Sequence, residues 1–298
     1  MAEASEPASV DFNICSDDLH EGTECTISKF ADDTKMGVSV DVMEERRALH
    51  KALDRLDPGP KSNKVAIKRV PQNRVHHWGE LPDGTSAPLE IVLLDKVSSG
   101  FSGVVQLLEW VELPNDILMV VERPEQSQDL HHFIQARGFL SEGVARQLFH
   151  QVLEAVRHCT SCGVLHRDIK PENILVDLAT GQAKLIDFGC GTYLQEAAYT
   201  HFAGTPSYSP PEWTHFGWYY GKPATIWSLG IVLHQMVCGE HPFRRDQNIS
   251  WDHQLSLPQR LSPECQDLIR QCLSMLDVER PSLEEVFCHP WMQDIHLP

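Results

Sequence analysis

The sequence predicts an α+β fold in which a small part rich in strands precedes a larger part rich in helices. Three apolar runs of strand length come first, V-A-I-K from Val65, VVQLLEWVEL from Val104 and ILMVVE from Ile117. After Ser141 the apolar residues recur at helical spacing, and serines stand where further helices would begin. Strand patterns followed by helix patterns are typical of α+β proteins.

The residues ahead of Val65 divide into three segments. Residues 1–16 carry few large apolar side chains, which predicts a disordered N-terminus. Residues 17–57 end in helically spaced apolar positions from Met43 to Leu56, which predicts a short helix. The run DPGPKSN then breaks any helix, so we place a linker at 58–64 and a domain at 65–298.

Each later element has its own signal. The V-A-I-K strand ends at Lys68, and a helix over about residues 88–96 follows with Glu90 near its start. Ser141 caps a long helix that ends at Gly163. Its apolar face is predicted to comprise Val144, Leu148, Val152 and Val156. Two further helix starts are marked by Ser262 with Pro263 and by Ser282 with Glu285.

Composition narrows the classes of partner and compartment. A formal net charge of −17 disfavours nucleic acid and anionic lipid as partners and favours basic peptides. No apolar run is long enough to span a bilayer, and the polar, acidic N-terminus is not a secretory signal. Nine cysteines predict reduced thiols in the cytosol or nucleus. Cys159 and Cys162 have C-x-x-C spacing, but no second pair accompanies them to build a zinc site.

Two short motifs in the helix-rich part carry chemistry. Residues 166–173 read H-R-D-I-K-P-E-N, and residues 187–189 read D-F-G. A loop of the first type supplies an aspartate, Asp168, to accept the proton of a substrate hydroxyl and an asparagine, Asn173, to bind Mg²⁺. The aspartate of the second, Asp187, holds the metal that bridges nucleotide phosphates. In this order the two motifs predict phosphoryl transfer to a hydroxyl group.

Seven longer passages of the sequence resemble those of one known protein family. They are WGELPDGTSAPLEIVLLDKVSSGFSGVVQLLEW, ERPEQSQDL, QVLEAVRHCTSCGVLHRDIKPENILVDL, LIDFGCG, SYSPPEW, IWSLGIVLHQMVCGEHPF and HPWMQD. From Val65 onward the chain resembles a eukaryotic serine/threonine protein kinase, and in particular the Pim family. The resemblance implies a two-lobed protein kinase fold with an N-lobe at 65–122 and a C-lobe at 125–298. It also implies ATP and Mg²⁺ as cofactors, protein substrates and a monomeric state.

The resemblance assigns catalytic roles to particular residues. Asp168 is the general base, and Lys170 steadies the transferring phosphoryl group. Asn173 and Asp187 are the Mg²⁺ ligands, since this ion prefers hard oxygen donors. Thr205, in G-T-P-S-Y-S-P-P-E, bonds the catalytic loop (residues 166–173) and with Lys170 sets serine/threonine specificity.

Nucleotide binding is assigned in the same way. Lys68 contacts the α- and β-phosphates of ATP and pairs with Glu90. Pro124 has no N–H to offer the adenine ring, so the carbonyl of Glu122 and apolar walls hold it. Asp129 stands where the family contacts ribose or a substrate arginine. The wall positions are Ala66, Val121 and Leu175.

Three other features follow from the resemblance. Glu212 is expected to form a buried salt bridge with Arg280. Thr225 stands where most kinases have an aspartate, and Pim kinases also lack an aspartate at this position. The family favours substrates with upstream arginines, and three positions match its acidic groove, Asp129, Glu172 and Glu240. Four others fall where it tends to carry carboxylates, namely His132, Pro171, Gln235 and Arg244. We therefore expect a weakened preference for basic segments in the substrate.

The chain departs from the family ahead of Val65. No G-x-G-x-x-G loop precedes V-A-I-K, so the first two strands of the N-lobe are expected to be absent and one sheet edge to be open. Residues 17–57 instead resemble a fragment of the reverse transcriptase of LINE-type retrotransposons, whose F-A-D-D would place metal-binding aspartates at Asp32 and Asp33. About forty residues are too few for a polymerase.

Three functions other than an active protein kinase are also compatible with parts of the sequence. A non-catalytic interaction module is favoured by the missing glycine-rich loop and opposed by the full set of catalytic residues. Nucleic-acid chemistry is opposed by the acidic charge. A small-molecule kinase is disfavoured by Lys170, Thr205 and Glu212, which belong to protein-substrate recognition.

Overall fold

The chain folds into two compact units. The structure, a computed structural model, describes residues 65–243 and 255–293 and the backbone of Phe12–Ile14. One unit comprises the described residues up to Gly100 together with Val105–Glu125, and the other comprises Phe101–Val104 and the residues from Gln126 onward. Strands dominate the first unit and helices the second, so the predicted α+β fold is confirmed.

The first unit is built on an antiparallel sheet. In chain order the described elements are β1 (Phe12–Ile14), β2 (Val65–Pro71), β3 (Trp78–Glu80), β4 (Ser86–Pro88), α1 (Leu89–Ser98), β5 (Leu107–Glu112) and β6 (Asp116–Glu122). The sheet has the strand order β1-β2-β6-β5, and β3 pairs with β4 as a separate hairpin.

Two features of this sheet differ from the expectation. Strand β2 continues to Pro71, so Lys68 lies at its centre and not at its end. The edge of β2 expected to be open is paired with β1, whose residue Phe12 lies opposite Lys68. Strand β1 lies within residues 1–16, and the predicted disorder of that segment stays a prediction. The remaining residues of 1–64, including the predicted helix and linker, lie outside the described residues.

Helix α1 packs against one face of the sheet. Its residues Ile91 and Val92 are buried with Ile117 and Met119 of β6 and with Ala87 of β4. Burial of a side chain of this size contributes about 1.5–3 kcal/mol, so these contacts hold α1 on the sheet. The helix begins at Leu89, one residue after the predicted start, and this places Glu90 in its first turn.

The second unit is mainly helical. In chain order its described elements are β7 (Ser127–Asp129), α2 (Leu130–Gln135), α3 (Glu142–Ser161), β8 (Val164–Leu165), β9 (Ile174–Asp177), β10 (Ala183–Leu185), β11 (Thr192–Tyr193), α4 (Pro211–Phe216), α5 (Gly221–Cys238), α6 (Pro263–Cys272), α7 (Leu283–Cys288) and α8 (Pro290–Gln293). A three-stranded sheet of order β10-β9-β7 and a two-stranded pairing of β11 with β8 accompany its helices.

The predicted helix starts are confirmed. Ser141 accepts a hydrogen bond from the Val144 amide at the start of α3, and Ser262 caps α6 with Pro263 in its first turn. Ser282 and Glu285 form a capping box at the start of α7. These bonds satisfy amides that a helix leaves unpaired at its first turn.

One predicted core position of α3 is wrong. Leu148, Val152 and Val156 are buried as expected, but Val144 is 39% exposed and Ala145 is buried in its place. Each step of four residues turns about 40° beyond a full turn, because an α-helix has 3.6 residues per turn. A stripe drawn at intervals of four therefore drifts off the buried face. In the described part of the chain no helix is both long and apolar enough to cross a bilayer.

Candidate active site

In the first unit, Lys68 and Glu90 form a buried ion pair. Lys68 is 5% exposed, and its Nζ lies 2.5 Å from Oε1 of Glu90 on α1. A buried ammonium group is costly unless it is paired and hydrogen-bonded. The predicted pairing is thus present, and the contact of Lys68 with phosphate stays a prediction.

The positions predicted to line an adenine site also lie in this unit. Ala66 of β2 is directly opposite Val121 of β6, so their side chains share one face of the sheet. Glu122, which ends β6, is fixed to Gln106 by two bonds. The Glu122 amide donates to the Gln106 carbonyl at 3.0 Å, and Oε1 of Glu122 accepts from the Gln106 amide at 2.9 Å.

In the second unit, Asp168 is the centre of a hydrogen-bonded cluster. Its Oδ2 accepts from Nδ2 of Asn173 at 3.0 Å and lies 3.0 Å from Nζ of Lys170. Its Oδ1 accepts from the amide and the hydroxyl of Thr205, at 2.8 and 2.7 Å. Nζ of Lys170 also donates to the Thr205 hydroxyl at 2.6 Å. The three predicted catalytic residues and Asn173 are therefore brought together.

Gly204 allows Thr205 to approach the catalytic loop. Its φ of +115° lies in the region that favours glycine, and a Cβ at this position would lie 2.4 Å from the carbonyl oxygen of Arg167. A larger residue would push the 204–205 backbone away from Asp168. Sequence reasoning did not assign Gly204 a role, although the G-T dipeptide was the available signal.

His166 links the catalytic loop to the D-F-G segment. Its Nδ1 accepts from the Asp168 amide at 3.2 Å, which leaves Nε2 to donate to the Ile186 carbonyl at 3.0 Å. Its ring also makes an edge contact with the buried ring of Phe188, with centroids 4.7 Å apart. Burial lowers the pKa of His166, so the imidazole stays neutral and keeps both bonds.

Two residues of this region have left-handed backbones. Arg167 and Asp187 have φ values of 65° and 64°, which are uncommon for residues other than glycine. Nε of Arg167 donates to the Cys190 carbonyl at 2.7 Å, and the Asp187 carboxylate accepts from the Gly189 amide at 3.1 Å. These bonds offset the cost of the backbone conformation, and sequence reasoning missed the role of Arg167.

The side-chain oxygens of Asn173 and Asp187 are suitable ligands for a hard cation such as Mg²⁺. The side-chain nitrogen Nδ2 of Asn173 donates to the carbonyl oxygen and to Oδ2 of Asp168. The side-chain oxygen of Asn173 is then the atom that can bind a cation. The Asp187 carboxylate supplies a second hard oxygen. The Ile186 amide donates to the Asn173 carbonyl at 3.0 Å and so joins the two segments.

Asp129 and Leu175 lie opposite each other on β7 and β9. Asp129 also caps helix α2, accepting from the His132 amide at 2.9 Å. The wall position Leu175 is partly exposed. The structure thus brings Asp129 and Leu175 together, while their contacts with a nucleotide remain predictions.

The expected buried bridge between Glu212 and Arg280 is present. Two parallel bonds of 2.8 and 2.6 Å join the guanidinium to the carboxylate, and the two side chains are 0% and 4% exposed. Arg280 also donates to the carbonyls of Ser274 and Pro223. The buried guanidinium is thus bonded to the carboxylate and to two backbone carbonyls, which gives the pair a role in the fold. The Thr225 hydroxyl donates to the Gly221 carbonyl within α5.

The C-x-x-C pair has no metal partner among the described residues. Cys159 and Cys162 are both free thiols, and burial raises the pKa of Cys159 to about 12. Within residues 65–243 and 255–293 no group of three or more histidine, cysteine or acidic side chains is arranged to hold a metal ion. A thiol this poorly ionised is a weak nucleophile and ligand, which favours a core role.

Comparison with known proteins agrees with this geometry. Residues 59–292 match the protein kinase domain family. The chain is 45% identical over 239 residues to the serine/threonine-protein kinase pim-2 of Danio rerio, with 78% of this chain and 77% of that protein covered. It is 42% identical over 232 residues to the serine/threonine-protein kinase prk-2 of Caenorhabditis elegans, with coverages of 77% and 52%.

A third relative extends the same pattern. The testis-specific serine/threonine-protein kinase 5 of Mus musculus is 37% identical over 219 residues, which cover 69% of this chain and 58% of that kinase. Residues 17–57 lie outside the matched family domain, and the expected resemblance of this segment to a reverse transcriptase stays a prediction. The match over most of the chain and the identities to named kinases lead to one conclusion: the chain belongs to the serine/threonine protein kinase family.

Proposed function

We propose that this protein transfers the γ-phosphate of ATP to serine or threonine hydroxyls of protein substrates. The observation that carries the proposal is the Asp168 cluster, in which Asn173, Lys170 and Thr205 fix a buried carboxylate in one orientation. A positioned carboxylate within reach of a hydroxyl acts as a general base. Lys170 brings a cation beside it, where negative charge on a transferring phosphoryl group is stabilised.

ATP and Mg²⁺ are the proposed cofactors. Lys68 and Glu90, with the apolar positions Ala66 and Val121, would bind the nucleotide in the first unit. Asn173 and Asp187 would hold Mg²⁺ in the second, where the ion neutralises phosphate charge. The Glu122 carbonyl takes the role of adenine acceptor, because Pro124 has no amide hydrogen.

We further propose a modest preference for basic segments upstream of the target hydroxyl. Asp129 and Glu172 are the first two acids proposed for such contacts, with side chains 27% and 46% exposed, and Glu240 is a third exposed acid. Exposed ion pairs contribute about 0.2–1 kcal/mol each, so the preference is small and falls with salt. Arg244, which would oppose it, lies outside the described residues.

The second candidate is an interaction module with little turnover, favoured by the absence of a glycine-rich loop ahead of Val65. Loss of about 4 kcal/mol of transition-state stabilisation would slow turnover roughly a thousandfold. Like the active kinase, this candidate would be a monomer of the cytoplasm or nucleus that binds neither nucleic acid nor membranes.

Two measurements on the full chain separate the candidates. Calorimetric titration with Mg-ATP should show binding that Asp187→Ala abolishes, while the control Asp95→Ala, at an exposed aspartate of α1, leaves it intact. Mass spectrometry of a serine peptide incubated with Mg-ATP should then detect phosphoserine. Binding without phosphoserine would favour the interaction module, and the absence of both would contradict the proposed function.

A further inference from the structure

A histidine already occupies the carboxylate that is proposed to receive a substrate arginine. Nδ1 of His132 lies 2.6 Å from Oδ2 of Asp129, and the His132 amide donates to Oδ1 at 2.9 Å. One residue thus engages both oxygens of Asp129. The amide bond caps helix α2 and is independent of the side chain, whereas the imidazole bond is specific to histidine.

The adjacent histidine does not have the same contact. Nδ1 of His131 lies 3.8 Å from Oε1 of Glu172, which is beyond hydrogen-bond distance. The rings of His131 and His132 meet edge to face, with centroids 5.6 Å apart. The side chains of His132 and His131 are 56% and 36% exposed, so solvent and an incoming side chain reach both. His131 is therefore a matched control for His132.

Arginine binds a carboxylate best through two parallel N–H···O bonds. At Asp129 the imidazole of His132 already contacts Oδ2, while the cap bond engages Oδ1. An arginine side chain therefore competes with this imidazole for Oδ2, where the imidazole takes one of the two lone-pair sites of the oxygen. The cost of weakening the existing bond is subtracted from the arginine contact and not from contacts elsewhere on the peptide.

We propose that His132 is a specificity-determining residue that competes with substrate arginine for Asp129 and thereby lowers the selectivity for basic substrates. The inference rests on the proposed function, because it takes Asp129 as a substrate contact. Removal of the imidazole should raise the selectivity for an arginine peptide about two- to fivefold. This factor corresponds to roughly 0.4–1 kcal/mol, the upper part of the range for an exposed charged pair.

The test measures peptide binding, so it does not require turnover. Fluorescence anisotropy gives the affinity of the full chain for a serine peptide with upstream arginines and for the same peptide with glutamines there. The selectivity is the ratio of the two affinities. This selectivity is measured for the wild type and for the single variants His132→Ala, His131→Ala and Asp129→Asn. It is also measured for the double variant that combines Asp129→Asn with His132→Ala. Asparagine still caps a helix, so α2 keeps its start in every variant.

The expected result is a selectivity two- to fivefold higher for His132→Ala, unchanged for His131→Ala, and insensitive to His132→Ala once Asp129→Asn is present. Three results would overturn the inference: an unchanged ratio in His132→Ala, an equal rise in His131→Ala, or a rise that persists beside Asp129→Asn. Failure of every variant to bind the arginine peptide would overturn it too. None of these results depends on phosphoryl transfer, so a failed inference is distinguishable from a failed kinase assignment.

Discussion

Replacement of Thr205 by alanine tests whether the Asp168 cluster acts as a unit. The Thr205 hydroxyl donates to Oδ1 of Asp168 at 2.7 Å and accepts from Nζ of Lys170 at 2.6 Å. Alanine removes both bonds but keeps the backbone amide that also bonds Asp168, at 2.8 Å. The carboxylate therefore keeps its place and loses part of its orientation.

The expected loss of activity in Thr205→Ala follows from the charges of Asp168 and Lys170, which the Thr205 hydroxyl contacts. Hydrogen bonds to charged groups contribute about 1.5–3 kcal/mol each. The two losses do not add fully, because Lys170 still contacts Asp168 at 3.0 Å. We therefore count the loss of one hydrogen bond, which is about 1.5–3 kcal/mol of transition-state stabilisation. This loss corresponds to a drop in kcat/KM of roughly 10- to 150-fold.

The assay is steady-state phosphorylation of a serine peptide at saturating Mg-ATP. Thr205→Ser keeps the hydroxyl and should retain activity within a fewfold of the wild type. Thr200→Ala changes an exposed threonine of the same segment and should have no effect. The reasoning would be refuted if Thr205→Ala were as active as Thr205→Ser.

Two further predictions concern the fold and the thiols. Arg280→Ala leaves Glu212 buried and unpaired and should destabilise the protein by about 3–5 kcal/mol, a fall in Tm of roughly 6–20 °C by calorimetry. Lys222→Ala breaks the exposed pair with Glu196 and should cost at most about 1 kcal/mol; similar shifts for the two variants would be inconsistent with the buried bridge. Burial raises the pKa of Cys272 to about 12, so at neutral pH iodoacetamide should modify the exposed Cys288 before Cys272, which reacts only on unfolding. Mass spectrometry of the alkylated peptides checks this order, and early labelling of Cys272 would contradict it.

The residues of the 166–173 loop could be picked out from the sequence because they are neighbours in the chain, while their catalytic roles stay predictions. Asp168, Lys170 and Asn173 fall within one short motif, and a single loop brings them together. Thr205 lies 37 residues from Asp168, and its approach depends on the positive φ of Gly204. A motif shows which residues are present, but the backbone conformation that unites distant ones is settled by tertiary packing.

The errors in the strand-rich part have a similar cause. The hairpin of β3 and β4 went unassigned, although Asp83 and Gly84 mark its turn and Gly84 has a φ of +84°. Strand β1 is only three residues long, and its pairing with β2 is a contact between segments remote in sequence. Short strands carry little periodicity, so their partners cannot be read from the local pattern.

Single-turnover transfer of phosphate from ATP to a serine peptide, compared between the wild type and Asp168→Asn, tests the central claim most directly. Asparagine keeps the size and part of the hydrogen bonding of Asp168 but removes the base. The account predicts Mg²⁺-dependent transfer by the wild type and a rate lower by roughly 10²- to 10⁴-fold in the variant, the range for loss of a positioned general base. Transfer by Asp168→Asn at the wild-type rate would contradict the account.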